Sequence, residues 1–312
     1  MVTLTAGVLP LERRYRPSGP LDLNATLAPH RRGRYDPCHC VGPDGAHWRT
    51  WRTPTGAVTV RLAADPAAGE ISTQAWGSGA DWALAAVPSL LGAGDDWTGL
   101  DLPPGVVRDA RRRLPGMRLS SSGRVFEALV PAILEQLVTG IEARRTWTAL
   151  VRRFGDSAPG PAPEGMAVMP SPAAIRSITD WEWHRIGLDG ARRRTLLNAA
   201  SVAPRLEEVS AMAAEVAMQR LMTVPGIGAW TAAEVVQRSH GAGDVVSVGD
   251  YHLPNAVGFL FTGRPRTDDA GMLALLEPYR PHRQRVVRLV EATGASAPRY
   301  GPRMSLRDNR SL

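Results

Sequence analysis

The 312-residue chain predicts a mainly α protein preceded by a small N-terminal α+β domain with an antiparallel sheet. Three observations carry that expectation. Val58-Thr-Val60-Arg-Leu62 alternates apolar and polar residues, as a half-buried strand does. From about residue 105 onward, apolar residues recur at helical spacing instead. Between the two lies Gly92–Pro104 (GAGDDWTGLDLPP), a run of turn formers that reads as a boundary. The expected organisation is residues 1–104 as an α+β accessory domain and 105–294 as a helical domain. Residues 295–312 follow as a basic tail, too poor in apolar residues to fold.

In the first hundred residues, Thr53-Pro-Thr-Gly56 is a turn signal before the alternating strand, with Trp48 and Trp51 just upstream. Together they predict a hairpin. Asp81–Leu91 is apolar and Ala-rich, and predicts a packed helix. Further on, Val125, Phe126, Leu129, Val130, Ile133, Leu134, Leu137, Val138 and Ile141 form one wide apolar stripe with a period near 3.6. Gly155–Pro172 is rich in Pro and Gly and predicts a loop. Helices are expected near 172–178, 190–203, 206–221, 229–239, 251–261, 269–276 and 281–292.

Composition narrows the chemistry. The chain holds 37 basic and 30 acidic residues, a net charge of +7, and every basic residue is Arg. A GC-rich genome would also write Arg in place of Lys, yet the charge excess still asks for an acidic partner, most commonly nucleic acid. Arg forks suit phosphate. Without a lysine side chain, Schiff-base chemistry through Lys is excluded. The two cysteines, Cys38 and Cys40, flank His39. They are too close for a ready disulfide and lack a second cluster to complete a zinc site, so free thiols are expected. Four cysteines for an iron–sulfur cluster are absent. No run of about 18 apolar residues marks a membrane span, and Met1–Arg16 has no signal-peptide pattern, so a cytoplasmic monomer is expected.

The most informative stretch is Leu221-Met-Thr-Val-Pro-Gly-Ile-Gly-Ala-Trp-Thr-Ala-Ala-Glu-Val-Val236. It predicts a helix ending near Met222, a short turn at Val224–Gly228, and a second helix from Ala229. Gly226 and Gly228 are expected to supply conformations that a side chain would obstruct, and to let backbone approach a ligand. The unpaired first amides of the second helix sit at its positive end, which makes a cradle for phosphate. An ordinary packed corner would use glycines too. The full Leu-x-x-Val-Pro-Gly-Ile-Gly pattern between amphipathic helices is more specific.

This segment resembles a helix–hairpin–helix, placed at 210–239, and residues from about Phe126 to Val290 resemble the DNA glycosylases named after it, in particular the AlkA-type 3-methyladenine DNA glycosylases. Phe126–Val138, Pro170-Ser-Pro172, Gly187–Arg193, Asp244–Tyr251 and Arg280-Pro-His-Arg283 are similar to successive segments of that family. Leu21-Asp-Leu23 and Arg32-Gly-Arg-Tyr-Asp36 are similar, more weakly, to its accessory β domain. The resemblance implies a base-flipping enzyme acting on damaged double-stranded DNA, with no membrane partner. It places the catalytic carboxylate at Asp250, which a helix N-cap role would equally explain. Asp244 is the nearest rival and is expected to cap or terminate its loop. The resemblance assigns Leu137 as the wedge that fills the duplex, a role competing with simple core packing. It puts Trp230 and Tyr251 in the base pocket, where a core role for Trp230 is nearly as good. Gly226, Gly228 and Thr231 would offer amides to phosphate. Arg280, Arg283, Arg285 and Arg288 would add contacts unless they are only a solvated face. No cofactor is required, although the carbonyls of Met222, Val224 and Ile227 match positions that hold a monovalent cation.

Two departures stand out. Trp230 takes the place of the lysine carried by bifunctional members, which implies a monofunctional enzyme. Glu234 and Glu291 stand where aromatic pocket residues are expected, which implies a more polar pocket. Two other classes fit the sequence: a non-catalytic helix–hairpin–helix DNA-binding protein, and a structural helical protein whose basic charge is genomic bias.

Overall fold

The computed structural model describes residues 9–294, so the tail expected at 295–312 lies outside the described residues. Strands β1 (Leu11–Tyr15), β2 (His39–Val41), β3 (His47–Thr53), β4 (Gly56–Asp65) and β5 (Glu70–Trp76) form one antiparallel sheet in the order β1-β5-β4-β3-β2. The alternation read in β4 holds in part: Val58, Val60 and Leu62 are fully buried, but so is Thr59, and Trp51 of β3 stands opposite Val58. The hairpin closes where the turn residues sit. Thr53 Oγ1 donates to the Gly56 carbonyl at 2.9 Å, and Gly56 takes φ +133°. Helices α1 (Leu23–Leu27) and α2 (Ala80–Leu90) accompany the sheet, and α2 covers its apolar face.

The remainder is helical: α3 (Val106–Arg113), α4 (Val125–Leu134), α5 (Gly140–Phe154), α6 (Pro172–Ser177), α7 (Asp180–Arg185), α8 (Gly190–Ser201), α9 (Ala203–Glu207), α10 (Ala214–Leu221), α11 (Ala229–Ser239), α12 (Leu253–Thr262), α13 (Asp269–Leu276) and α14 (Arg283–Ala292). The expected loop at 155–172 contains a two-residue ladder, Asp156–Ser157 against Ala167–Val168. The helix expected over 206–221 is split into α9, a 3-10 turn and α10. Apolar side chains gather in three clusters. One lies under the sheet and another surrounds α4, which is buried on nearly every face. The third joins α3 to α12, α13 and α14. No helix among the described residues is long and apolar enough to cross a membrane.

One element differs from expectation in a way that matters. The apolar stripe running from Val125 to Ile141 is not one continuous helix. Thr139 and Glu142 form a reciprocal capping box, with Thr139 Oγ1 accepting from the Glu142 amide at 3.3 Å and the Glu142 carboxylate accepting from the Thr139 amide at 3.1 Å. That box starts a new helix and leaves residues 135–138 as a tight connection.

Candidate active site

The turn between α10 and α11 is built around two glycines that do different jobs. Gly226 has φ +94°, and a β-carbon there would lie 2.0 Å from Thr195 Oγ1 of α8. It is required by the fold. Gly228 has φ −98° and ψ −178°, ordinary extended backbone, and a β-carbon there would meet nothing within 4 Å. The expectation that Gly228 supplies a conformation closed to side chains is therefore corrected: the position is open space beside α11. Val224 and Ile227 bury their side chains and anchor the turn, and the Ile227 amide donates to the Val224 carbonyl at 3.0 Å. The first bond of α11 runs from the Ala232 amide to the Gly228 carbonyl at 3.0 Å. The amides of Ala229, Trp230 and Thr231 precede it and stand at the positive helix end.

The Thr231 side chain is buried and takes part in a contact the sequence did not reveal. Gln136 Nε2 donates to Thr231 Oγ1 at 2.8 Å and to the Gly226 carbonyl at 3.0 Å. Gln136 belongs to the 135–138 connection, so this connection is tied directly to the turn. The next residue, Leu137, has φ +53° and is 98% exposed. Core packing is thus the wrong account of Leu137. A large apolar side chain held in the left-handed region and projecting into solvent is strained and exposed at once, a combination found where a protein keeps a residue for a ligand.

Asp250 follows a turn at Gly249 (φ +89°), whose amide donates to Asp269 Oδ2 at 3.0 Å. Its Oδ1 accepts the amides of His252 and Leu253 at 2.7 and 2.8 Å, holding the start of α12. Its Oδ2 accepts the indole N–H of Trp230 at 3.1 Å. Capping and the contact with the indole thus fall to different oxygens. Asp250 and Trp230 line a cleft of about 210 Å³, many times the ~10–15 Å³ that one water needs. Glu135, Glu234, Gln237, Arg238, Gln284, Arg288 and Glu291 line it as well. Both glutamates that depart from the family pattern thus sit in its wall. Burial opposes the charge on Glu234, but Arg238 at 2.7 Å and the Ser247 hydroxyl at 2.5 Å outweigh it and hold the carboxyl below its usual range.

Tyr251 does not belong to the cleft lining. It is 78% exposed, packed edge-on against His252, because Asp250 turns the chain outward before α12 begins. Of the expected phosphate-binding arginines, Arg283 is committed elsewhere: its Nη2 and Nε bind the Asp244 carboxylate at 2.7 and 3.0 Å. The Arg283 amide also donates to Asp244 at 3.1 Å, so Asp244 caps α14 rather than its own loop. Arg280 shares Asp244 at 3.1 Å and Glu277 at 2.8 Å. Arg285 pairs with buried Asp95 at 2.7 Å, and Arg288 pairs with Glu291 at the cleft. Charge on this face is largely neutralised. Cys38 and Cys40 are free thiols, and burial pushes both above the usual range, Cys38 strongly, which makes them poor nucleophiles.

No protein-family profile matches the chain. DNA-3-methyladenine glycosylase 2 of Escherichia coli (strain K12) is 32% identical over 160 residues, which is 49% of this chain and 55% of that protein. The chain thus spans about half the length of the curated relative it matches. A 3-methyladenine DNA-glycosylase from Archaeoglobus fulgidus superposes with a TM-score of 0.73 at 19% identity, covering 90% of this chain and 98% of that one. An 8-oxoguanine glycosylase/lyase from Clostridium acetobutylicum gives 0.69 at 10% identity, covering 92% and 99%. The Mag1 3-methyladenine DNA glycosylase of Schizosaccharomyces pombe, in complex with abasic DNA, gives 0.52 at 18% identity, covering 65% and 96%. Over about half its length the chain is a homologue of DNA-3-methyladenine glycosylase 2, and as a whole it has the fold of the solved DNA glycosylases.

Proposed function

We propose that this protein is a monofunctional DNA glycosylase of base excision repair, hydrolysing the N-glycosidic bond of alkylated, cationic purines in duplex DNA. The observation that carries this reading is the carboxylate of Asp250. It is pinned by an indole and two amides in a cleft that the first turn of α11 also lines. When the C1′–N bond breaks, its electron pair leaves with the purine, which becomes neutral, and positive charge develops on the sugar. Asp250 stabilises that charge from a fixed position, and water then adds to C1′ and gives up its proton to solvent. A purine that is already cationic needs little help to leave, so one carboxylate suffices.

The other parts supply position. The amides at the start of α11 would hold a backbone phosphate without reading sequence. Leu137 would enter the duplex and occupy the gap left by the extruded nucleotide. Trp230, whose N–H orients Asp250, would also present its ring to the base. The carbonyls of Met222, Val224 and Ile227 would be the ligands of a monovalent cation there: they belong to one turn, and the Ile227 amide uses a single lone pair of Val224. Such a cation would add positive charge beside the phosphate.

The test is incubation with duplexes carrying 3-methyladenine, 7-methylguanine, hypoxanthine or ethenoadenine. The expected result is base release from at least one, with strand breaks appearing only after hot alkali. Release from none would favour a binding-only protein. Breaks without alkali would contradict the monofunctional assignment.

A further inference from the structure

We infer that the accessory domain carries a second DNA-contact surface, made of Arg31, Arg34 and Tyr35 together with Arg144 of α5, which holds the duplex backbone beside the Leu137 connection. This rests on the DNA-glycosylase reading and extends its footprint to a part of the chain with no assigned role.

This surface is one of the places where positive charge stays free, and the one tied to the Leu137 connection. Arg31, Arg34, Tyr35 and Arg144 are all exposed, and none of these arginines has a carboxylate partner among the described residues. That contrasts with Arg280, Arg283 and Arg285, each neutralised by Asp244 or Asp95. The loop is also rigid. Asp36, buried at its end, accepts the Arg32 amide at 2.7 Å, the Cys38 amide at 2.9 Å and the Trp147 indole N–H at 2.8 Å. Gly33 takes φ +87° and leaves room for Arg144 to cross it: a β-carbon there would lie 2.4 Å from Arg144 Cδ. The Arg144 guanidinium reaches as far as Gly140, at the start of α5. Arg34 sits 5.7 Å from the Tyr35 ring.

Position selects the partner. Buried Arg32 pairs with Glu135 at 3.1 Å, two residues before Leu137, so the loop is joined to the wedge connection. A duplex that received Leu137 would then lie beside this loop. Arg forks without a carboxylate partner, carried on a held backbone, match phosphate oxygens. The ordering cost is already met, because the loop is held by Asp36 and Arg32 before any strand arrives.

The experiment is a fluorescence-anisotropy titration of the full chain with an undamaged duplex at several NaCl concentrations. Wild type is compared with Arg34→Ala, Arg144→Ala and the double variant, each checked by thermal melting. Arg34→Gln and Arg144→Gln serve as second variants with less loss of packing. Arg14→Ala is the control, since Arg14 lies on β1 at the opposite edge of the sheet from β2. Each lost phosphate contact should lower the log–log salt slope by about 0.9, equivalent to roughly fivefold weaker binding at 0.15 M salt. The double variant should lose about 1.8 units of slope. The control should match wild type. Wild-type binding with unchanged affinity and slope in the double variant would overturn the second surface while leaving the enzyme reading intact. Wild type that fails to bind duplex would defeat that reading, and this surface with it.

Discussion

The two turn glycines separate structure from function within a span of three residues. Gly226→Ala would place a β-carbon at φ +94°, which costs about 1–2 kcal/mol for a side-chain-bearing residue. The new carbon would also lie 2.0 Å from Thr195 Oγ1 and 2.9 Å from Thr195 Cβ, both part of α8. Relieving that contact means breaking the 3.2 Å bond from Thr195 Oγ1 to the Ala191 carbonyl or shifting the turn, an overpacking cost of about 1–3 kcal/mol. The expected loss is about 2–5 kcal/mol in urea unfolding. Gly228→Ala meets open space in ordinary backbone and should cost only about 0.5–1 kcal/mol, the penalty of a poorer N-cap residue. Gly228→Asp is sharper still. Asp at this N-cap position should hold or slightly raise stability, while its charge at the phosphate cradle should greatly weaken duplex binding. Anisotropy with an undamaged duplex, set beside the urea curves, reads both effects. Equal stability of Gly226→Ala and wild type, or undiminished DNA binding by Gly228→Asp, would refute the division of roles.

Other outcomes follow from the same geometry. Leu137→Ala should leave stability within about 0.5 kcal/mol, because the side chain is exposed, yet reduce fluorescence of a 2-aminopurine placed beside the lesion; an unchanged signal would remove the wedge assignment. Gln136→Ala should lower that signal too by freeing the connection from Gly226 and Thr231, whereas a signal equal to wild type would make the tether incidental. Stability should fall with acid. Burial first, then Arg49, pushes His39 down to about 3, and burial also lowers His30, His47 and His240. These groups stay neutral in the fold and take up protons only on unfolding, so the stability they give is full above about pH 6.5 and drains as pH falls toward 3. His39 alone should cost about 2 kcal/mol at pH 5. Urea curves at pH 7 and 5 that coincide would contradict this, and His39→Gln should flatten the slope.

Much of the site was legible because it is local. The Val-Pro-Gly-Ile-Gly turn, its flanking helices and Asp250 all lie between residues 214 and 250, and the pattern dictates backbone directly. The hairpin of β3 and β4 was legible for the same reason. Periodicity alone misled at Leu137, where the capping box at Thr139 and Glu142 outweighs the apolar stripe. That box is itself visible in Thr-Gly-Ile-Glu and would have marked the break. Contacts between distant segments left no trace. Nothing in the sequence ties Arg283 to Asp244 across 39 residues, or Gln136 to Thr231 across 95. The resemblance put Tyr251 in the pocket, but it stands 78% exposed and outside the cleft that Asp250 lines.

The central claim is that the Asp250 charge drives base release. Asn at that position keeps an oxygen for the His252 and Leu253 amides but turns an NH2 toward the Trp230 indole N–H in place of the acceptor Oδ2, so Asp250→Asn should fold with a small loss of stability and bind duplex like wild type. Single-turnover base release from the lesion that wild type excises fastest then reads the loss of the carboxylate, with Trp230→Phe as the variant that removes the same hydrogen bond and keeps the charge. A rate lowered at least a hundredfold with unchanged duplex affinity is expected. A rate equal to wild type would contradict the account and move the chemistry to another acid.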